Sequence, residues 1–167
     1  MLPDDVLEHA ADLVGRLKAA QLKLVTAESC TGGLVAAAIT DVPGSSAVFE
    51  RGFVTYSNEA KSTSLGVGSA LLAECGAVSG PVAVAMADGA LQHSLADIAV
   101  AITGIAGPGG ATATKPVGLV HIAVARKGSP TVDEECRFAE SGRRKIREAA
   151  VRKALEMLGN AIAIEQS

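Results

Sequence analysis

Apolar residues recur along this chain at two spacings, and the two spacings alternate. Residues 3–20 place apolar side chains three and four positions apart, which is the period of an α-helix with one buried face. Residues 22–27 alternate in the manner of a short strand, and residues 34–40 return to a helical pattern rich in small side chains. The chain is therefore predicted to begin with a helix, a strand and a second helix.

The same alternation continues to the C-terminus. Strands are predicted over residues 51–58, 97–104, 119–125 and 131–139. Helices are predicted as two short pieces over residues 59–75, broken at 66–68, then over 81–95, and finally from Ser141 to about residue 160. Because helices alternate with strands and two strands are adjacent late in the chain, the pattern favours an α/β domain. Such a domain has a mixed sheet with helices on both faces.

Composition narrows the class of protein. The chain has 167 residues, 49% of them hydrophobic but only 2% aromatic, so one core of Ala, Val, Leu and Ile is expected. The net charge of −3 and the scarcity of aromatic residues argue against a nucleic-acid partner. Three separated cysteines without a C-x-x-C pair fit reduced thiols, and three scattered histidines make a metal unexpected. We expect a single domain over residues 1–167 in the cytoplasm, with no cofactor and no membrane span.

The segment at residues 45–61 (SSAVFERGFVTYSNEAK) combines groups that are typical of hydrolytic sites. A serine hydroxyl becomes a nucleophile when a base takes its proton, and a partly buried lysine with a lowered pKa is such a base. Ser45, Ser46 and Lys61 supply these groups, and Tyr56, the one tyrosine, is able to relay a proton. The alternative is a strand followed by a solvated lysine on a helix.

The segment at residues 26–33 (TAESCTGG) joins the first predicted strand to the second helix. Such turns present hydroxyls and backbone N–H groups at the carboxyl edge of a sheet, where ligands bind. The candidate ligand contacts are Ser29, Thr31, Gly32 and Gly33. The alternative is an N-cap, in which Ser29 or Thr31 satisfies free amides. Cys30 is a further candidate nucleophile, because a helix N-terminus lowers a thiol pKa.

The Gly- and Pro-rich loop at residues 104–118 follows the most apolar predicted strand. A hydroxyl and glycines at the end of a strand suit a substrate cradle, and loops of this length in compact domains are often functional. Thr103 and Gly104 are the candidate contacts. The alternative is a flexible surface connection, in which Lys115 is only a solvated charge.

Four cations open the last predicted helix, namely Arg143, Arg144, Lys145 and Arg147. Cations at this end oppose the helix dipole, at a cost of about a few tenths of a kcal/mol. A phosphate partner would explain why the sequence accepts that cost. The alternative is a solvated basic turn that pairs with Glu140 and Glu148.

Several of these motifs, in this order, resemble the CinA C-terminal-domain family. They are AESCTGG, GSSAVFERGFVTYSNEAK, GAVSGPVA, ITGIAGPGG and KPVGLVHIAVA, and the resemblance runs from about residue 5 to 160. It implies a three-layer α/β/α sandwich with a mixed, mainly parallel sheet, and a homo-oligomer. Family members of known activity hydrolyse the carboxamide of nicotinamide mononucleotide to nicotinic acid mononucleotide and ammonia. Larger relatives carry a preceding molybdopterin-binding-like domain, so the stand-alone form is expected here.

The resemblance also implies roles for single residues. The family's serine amidase pattern falls on Ser46, Tyr56 and Lys61, with Ser46 favoured over Ser45 as the attacking residue. Thr103 and Arg143 match positions around the substrate, and Arg143 is the expected partner of the 5′-phosphate. The other expected substrate contacts are Ser29, Thr31, Gly32, Gly33, Ser45 and Gly104.

Two other functions stay open from the sequence. The domain is either catalytic or a nucleotide-binding or interaction module that keeps the fold without useful hydrolysis, and product formation separates these two. A third interpretation is a hydrolase that acts on a different carboxamide or phosphorylated ligand. Loss of binding to the dephosphorylated riboside would indicate a phosphate requirement.

Overall fold

The structure is a computed structural model that describes residues 2–139 and 141–163. The helices are α1 (Asp4–Ala19), α2 (Leu34–Thr40), α3 (Asn58–Leu65), α4 (Ser69–Cys75), α5 (Gly80–Gln92) and α6 (Arg143–Ala163). The strands are β1 (Leu24–Glu28), β2 (Phe49–Val54), β3 (Ile98–Gly104), β4 (Leu119–Arg126) and β5 (Ser129–Arg137), and a 3₁₀ turn, Ser45–Ala47, precedes β2. Each predicted helix and strand is present; α2 has the predicted ends, and most of the other elements have ends that are shifted by a few residues. No helix in the described ranges is long and apolar enough to cross a lipid bilayer.

The five strands form one sheet in the order β2-β1-β3-β4-β5. Strands β2, β1 and β3 are parallel neighbours, whereas β4 runs antiparallel to β3 and β5 antiparallel to β4. Among the described strands, β4 therefore runs against the other four. The prediction of a mixed, mainly parallel sheet is confirmed, and the carboxyl ends of β1, β2 and β3 share one edge.

The two faces of the sheet carry side chains of different size. On one face, Ile98, Val100 and Ile102 of β3 pack in a core with α1, α2 and α6. On the other face, Ala99 and Ala101 pack in a second core with α3, α4 and α5. Because successive side chains of a strand point to opposite faces, one alternating strand serves both cores. This is the predicted three-layer α/β/α sandwich.

Helix α3 is held unusually close to α5. A Cβ atom added at Gly89 of α5 would lie 2.0 Å from the carbonyl oxygen of Leu65, so no larger residue fits there. The backbone of α5 therefore touches the end of α3 directly. This contact fixes α3 against the sheet and, with it, the lysine at position 61.

Strand β2 ends earlier than the sequence pattern predicts. It stops at Val54 rather than at residue 58, because Ser57 caps α3 and accepts a hydrogen bond from the N–H of Ala60 at 3.0 Å. The chain thus turns at the carboxyl edge of the sheet. Lys61 then lies in the first turns of α3 and is 1% exposed.

Candidate functional site

A cavity of about 240 Å³ opens at the carboxyl edge of the sheet. It lies where β1 and β3 end, between α3 and the start of α6. Six of the predicted site residues line it, namely Ser29, Tyr56, Lys61, Thr103, Gly104 and Arg143. Residues that are far apart in sequence meet here because parallel strands end at a common edge, where ligands of α/β folds bind.

Lys61 contributes a buried amine to this cavity. Its Nζ donates to the carbonyl of Thr55 at 2.8 Å and to the hydroxyl of Ser29 at 3.0 Å. Burial lowers the pKa of Lys61 below the usual 10.5, and the nearby Cys30 acts weakly in the opposite direction. The interpretation of Lys61 as a solvated lysine is wrong, because the residue is 1% exposed.

Ser29 follows the end of β1 and is 9% exposed. Its backbone N–H donates to the carbonyl of Ile102 at 2.9 Å, which ties it to the adjacent strand β3. Its Oγ hydrogen-bonds to Lys61. A hydroxyl beside a buried amine is the geometry of a nucleophile with its base.

Ser46 and Lys61 do not come together in this chain. Ser46 lies in the 3₁₀ turn before β2, where the carbonyl of Val48 accepts a hydrogen bond from Leu24 N, at the start of β1. Ser29 follows the other end of β1, a strand of five residues that spans roughly 17 Å. The predicted pairing of Ser46 with Lys61 is therefore corrected, and Ser29 is the serine at this lysine.

Ser45 lies on the same amino edge of the sheet as Ser46. It is buried, whereas the side chain of Ser46 is exposed. Neither residue lines the cavity at the opposite edge. The sequence did not separate the two serine-containing turns, because both stand next to a strand and a glycine.

Glu28 is a functional candidate that the sequence reasoning missed. Its carboxylate is completely buried and accepts hydrogen bonds from the N–H groups of Gly33, Val35 and Ala36 at 3.1, 3.0 and 2.9 Å. It therefore occupies the N-terminus of α2, which the sequence analysis assigned to a ligand or to a hydroxyl cap. An acidic residue shortly before a predicted helix was the available signal.

Arg147 holds the other side of the same turn. Its guanidinium donates to the carbonyls of Cys30 and Thr31 at 3.1 and 3.0 Å. A Cβ atom added at Gly32, where φ is +59°, would lie 3.4 Å from Nη2 of Arg147. The absence of a side chain at Gly32 therefore lets the guanidinium of Arg147, rather than a ligand, approach the backbone. The predicted contacts Thr31, Gly32 and Gly33 do not line the cavity.

Tyr56 and Arg143 stand at the mouth of the cavity. Arg143 donates to the hydroxyl of Tyr56 at 2.7 Å and to the carbonyl of Gly107 at 2.8 Å. Tyr56 is 60% exposed. This pair joins the start of α6 to the Gly-rich loop and leaves a cation facing the opening.

The Gly-rich loop is anchored at both ends rather than free. The hydroxyl of Thr103 donates to the carbonyl of Ala77 at 2.8 Å, and Nζ of Lys115 donates to the carbonyl of Cys75 at 2.7 Å. Both contacts tie the loop to the segment before α5. Lys115 is thus not merely a solvated charge.

The basic start of α6 divides between two tasks. Arg144 and Lys145 form ion pairs with the buried carboxylate of Glu148 at 2.8 and 3.9 Å. These pairs agree with the alternative prediction of a basic turn that pairs with Glu148. Arg143 and Arg147 instead reach the cavity mouth and the turn after β1. Glu140, the other expected partner, lies outside the described residues.

Cys30 also lines the cavity, but its thiol is a poor nucleophile. Burial raises the pKa of Cys30 from 9.0 to about 11, and Glu28 adds to that rise. The thiolate is the reactive form of cysteine. Because the pKa of Cys30 is raised, little thiolate exists near neutral pH. The geometry favours the neighbouring Ser29.

The fold and the cavity define an α/β/α domain with a serine–lysine pair at the carboxyl edge of its sheet. The model of the CinA C-terminal domain matches residues 7–162, and the chain belongs to this family.

Similar proteins and a similar crystal structure support membership of this family. The nicotinamide-nucleotide amidohydrolase PncC of Escherichia coli is 50% identical over 94% of this chain and 95% of its own length. A CinA-like protein of Akkermansia muciniphila is 57% identical over 73% of this chain. The chain spans about a third of the length of such longer curated relatives. The crystal structure of the competence/damage inducible protein CihA from Agrobacterium tumefaciens has a TM-score of 0.93 and 51% identity, covering 97% of this chain and 98% of that one.

Proposed function

We propose that this protein hydrolyses the carboxamide of nicotinamide mononucleotide to nicotinic acid mononucleotide and ammonia. The observation that carries the proposal is the contact of 3.0 Å between the buried Nζ of Lys61 and Oγ of Ser29. Serine with a neutral lysine is a known pairing for acyl transfer. The similarity to the Escherichia coli amidohydrolase supports the choice of substrate.

Lys61 is the general base in this mechanism. Burial disfavours its charged form. The neutral amine donates a hydrogen bond to the carbonyl of Thr55, and its lone pair accepts one from the hydroxyl of Ser29, at the distances given above. It takes the proton as Ser29 Oγ attacks the carboxamide carbon. The base and the nucleophile are therefore aligned before the substrate binds.

The backbone after Ser29 supplies the oxyanion site. The N–H groups of Cys30 and Thr31 come directly after the nucleophile, and among the described residues neither has a backbone acceptor. The N–H of the residue after a nucleophile is a common oxyanion donor. Loss of one such donor typically lowers the rate about 100- to 1,000-fold.

Collapse of the tetrahedral intermediate breaks the carbon–nitrogen bond. Lys61 returns its proton to the departing nitrogen, and Tyr56 assists from the mouth of the cavity, so ammonia leaves and an ester forms on Ser29. Water, activated by Lys61, then hydrolyses the ester. Each proton taken is returned, and the serine is regenerated without a metal or cofactor.

The cavity accommodates the ring that carries the carboxamide, and the ribose and phosphate extend toward its mouth. Arg143 is exposed there and already donates to Tyr56 and Gly107. A guanidinium in this place suits a 5′-phosphate, because its planar donors match phosphate oxygens. Thr103 and Gly104 line the cavity on the side of β3, next to the expected position of the ring.

Product release from nicotinamide mononucleotide tests the proposal. The purified chain is expected to release ammonia and nicotinic acid mononucleotide in equal amounts, and a Ser29→Ala variant is expected to release neither. Substrate binding without product in the wild type would favour the non-catalytic nucleotide-binding module. Turnover of other carboxamides in preference would move the assignment to a different amide hydrolase.

The homo-oligomer stays a prediction of the sequence resemblance, and the cytoplasmic location stays a prediction from the cysteine pattern and composition. Light scattering of the purified chain measures the first of them. A monomer that turns over substrate would show that one chain holds a complete site.

A further inference from the structure

Arg147 is a cation that the proposed reaction does not use. It lies in the second turn of α6, on the far side of the 29–33 turn from Lys61, and is half-buried. Its guanidinium binds two successive backbone carbonyls, those of Cys30 and Thr31, and it does not line the cavity. Its position is therefore behind the nucleophile rather than beside the substrate.

The two contacts constrain the peptide units that follow Cys30 and Thr31. In a trans peptide the C=O and the next N–H point in opposite directions. With the carbonyl of Cys30 held by Arg147, the N–H of Thr31 points away from α6. The two peptide planes from Cys30 to Gly32 are thus oriented by one side chain, and the N–H of Gly32, in the second of these planes, donates to the carbonyl of Ser29 at 3.0 Å.

Glu28 completes the restraint from the other side. It binds the N–H groups of Gly33, Val35 and Ala36, whereas Arg147 binds carbonyls. A buried anion on the amides and a cation on the carbonyls leave the turn few alternative conformations. Hydrogen bonds with one charged partner are stronger than neutral ones.

We propose that Arg147 is a positioning residue, which fixes the 29–33 turn so that Ser29 Oγ stays at Lys61 Nζ and the N–H of Thr31 keeps its direction. The catalytic part of this inference rests on the proposed function. A displacement of about 1 Å at a reacting group costs on the order of 100-fold in rate. Lysine is a poor substitute, because an ammonium lacks the planar donors that span two carbonyls.

Alkylation of Cys30 tests the restraint without any reference to activity. Cys30 lies in the turn and is 6% exposed, so its thiol reacts with iodoacetamide slowly while the turn keeps its conformation. We expect Arg147→Met to raise the alkylation rate of Cys30 at least tenfold, as measured by peptide mass spectrometry. A rate within twofold of the wild type would overturn the inference.

Cys136 is the internal control for general unfolding. It is 9% exposed and packs in the core with α1, α2 and α6. Its alkylation rate is expected to stay unchanged in Arg147→Met. If both cysteines become reactive because Arg147→Met unfolds, the same measurement on Arg147→Lys tests the inference. A selective rise at Cys30 in that variant supports the inference, and equal rises or none contradict it.

Kinetics then test the consequence for the reaction. Arg147→Met is expected to lower kcat about 10- to 100-fold and to change KM less than about threefold, with partial recovery in Arg147→Lys. Arg152→Met on the same helix is the matched control, because Arg152 pairs with the exposed Asp5. A wild type without turnover would remove the proposed function but leave the cysteine result valid. An unchanged kcat in Arg147→Met would remove the catalytic role of Arg147 alone.

Discussion

Two serine-containing turns in this protein look alike in sequence and differ in what surrounds them. The 29–33 turn and the 3₁₀ turn Ser45–Ala47 both stand beside glycines with positive φ and both have lysines nearby. Around the second turn, Lys23 donates to the carbonyl of Ala47 at 2.6 Å, yet Lys23 is exposed. At the first turn, Lys61 is 1% exposed. Burial of the lysine, rather than its proximity to a serine, therefore makes it a candidate base.

Replacement of either serine separates the two turns most sharply. Ser29→Ala is expected to lower kcat for nicotinamide mononucleotide by at least about 1,000-fold, because it removes the nucleophile. Ser46→Ala is the matched change in the other turn and is expected to keep kcat within about threefold. Steady-state ammonia release measures both variants. The reverse order of the two effects would contradict the comparison.

Replacement of the buried lysine separates catalysis from stability. Lys61→Met is expected to abolish turnover, because Ser29 loses its base. The same variant is expected to be at least as stable as the wild type near pH 7, because the cost of burying a charge disappears. Thermal unfolding and ammonia release measure the two effects. A variant that keeps turnover would remove Lys61 as the base.

The lowered pKa of Lys61 also fixes the direction of pH dependence. Between that pKa and the usual 10.5 the unfolded chain binds more protons at this residue, so its contribution to stability rises with pH through that window. The stability advantage of Lys61→Met is therefore expected to shrink as pH rises toward 10.5. The kcat/KM of the wild type is expected to rise with pH along an acid limb whose midpoint lies below 10.5.

A smaller effect is expected at the cavity mouth. Arg143→Met should raise KM for nicotinamide mononucleotide about 10- to 100-fold while kcat changes little, because a charge-assisted contact with phosphate is lost. Nicotinamide riboside, which lacks the phosphate, is the control substrate. Its KM should be the same for the variant and the wild type. An equal rise in KM for both substrates would contradict the phosphate contact and would indicate that Arg143 acts by positioning Tyr56.

The smallest expected effect concerns the thiol beside the nucleophile. The pKa of Cys30 is raised to about 11, so its alkylation in the wild type is expected to be slow at pH 8 and to rise with pH toward 11. Cys75 is half-buried and serves as the comparison in the same digest. Rapid modification of Cys30 at pH 8 would show a reactive thiolate and reopen the choice of nucleophile.

The sequence predicted the fold well because the fold depends on periodicity. Alternation in β3 separates the large residues Ile98, Val100 and Ile102 from the alanines between them, and helical spacing identifies α1 and α6. Errors fall at the ends of elements. The early end of β2 depends on the Ser57 cap, which competes with a strand-like run of residues.

The site was predicted less completely, because chain order does not show which edge of the sheet a turn occupies. Ser46 is closer to Lys61 in sequence than Ser29 is, yet β2 carries the chain from one edge to the other between them. Glu28 and Arg147 were missed as partners of one turn, since 119 positions separate them in the chain. Their pairing with a single backbone segment becomes visible only once α6 is placed against α2.

In the proposed reaction Ser29, activated by Lys61, attacks the carboxamide carbon. Rapid acid quenching of the enzyme during turnover of nicotinamide mononucleotide, followed by peptide mass spectrometry, tests it most directly. An ester of nicotinic acid mononucleotide on the peptide that contains Ser29 is the predicted result. The same ester on the peptide that contains Ser46 would contradict it.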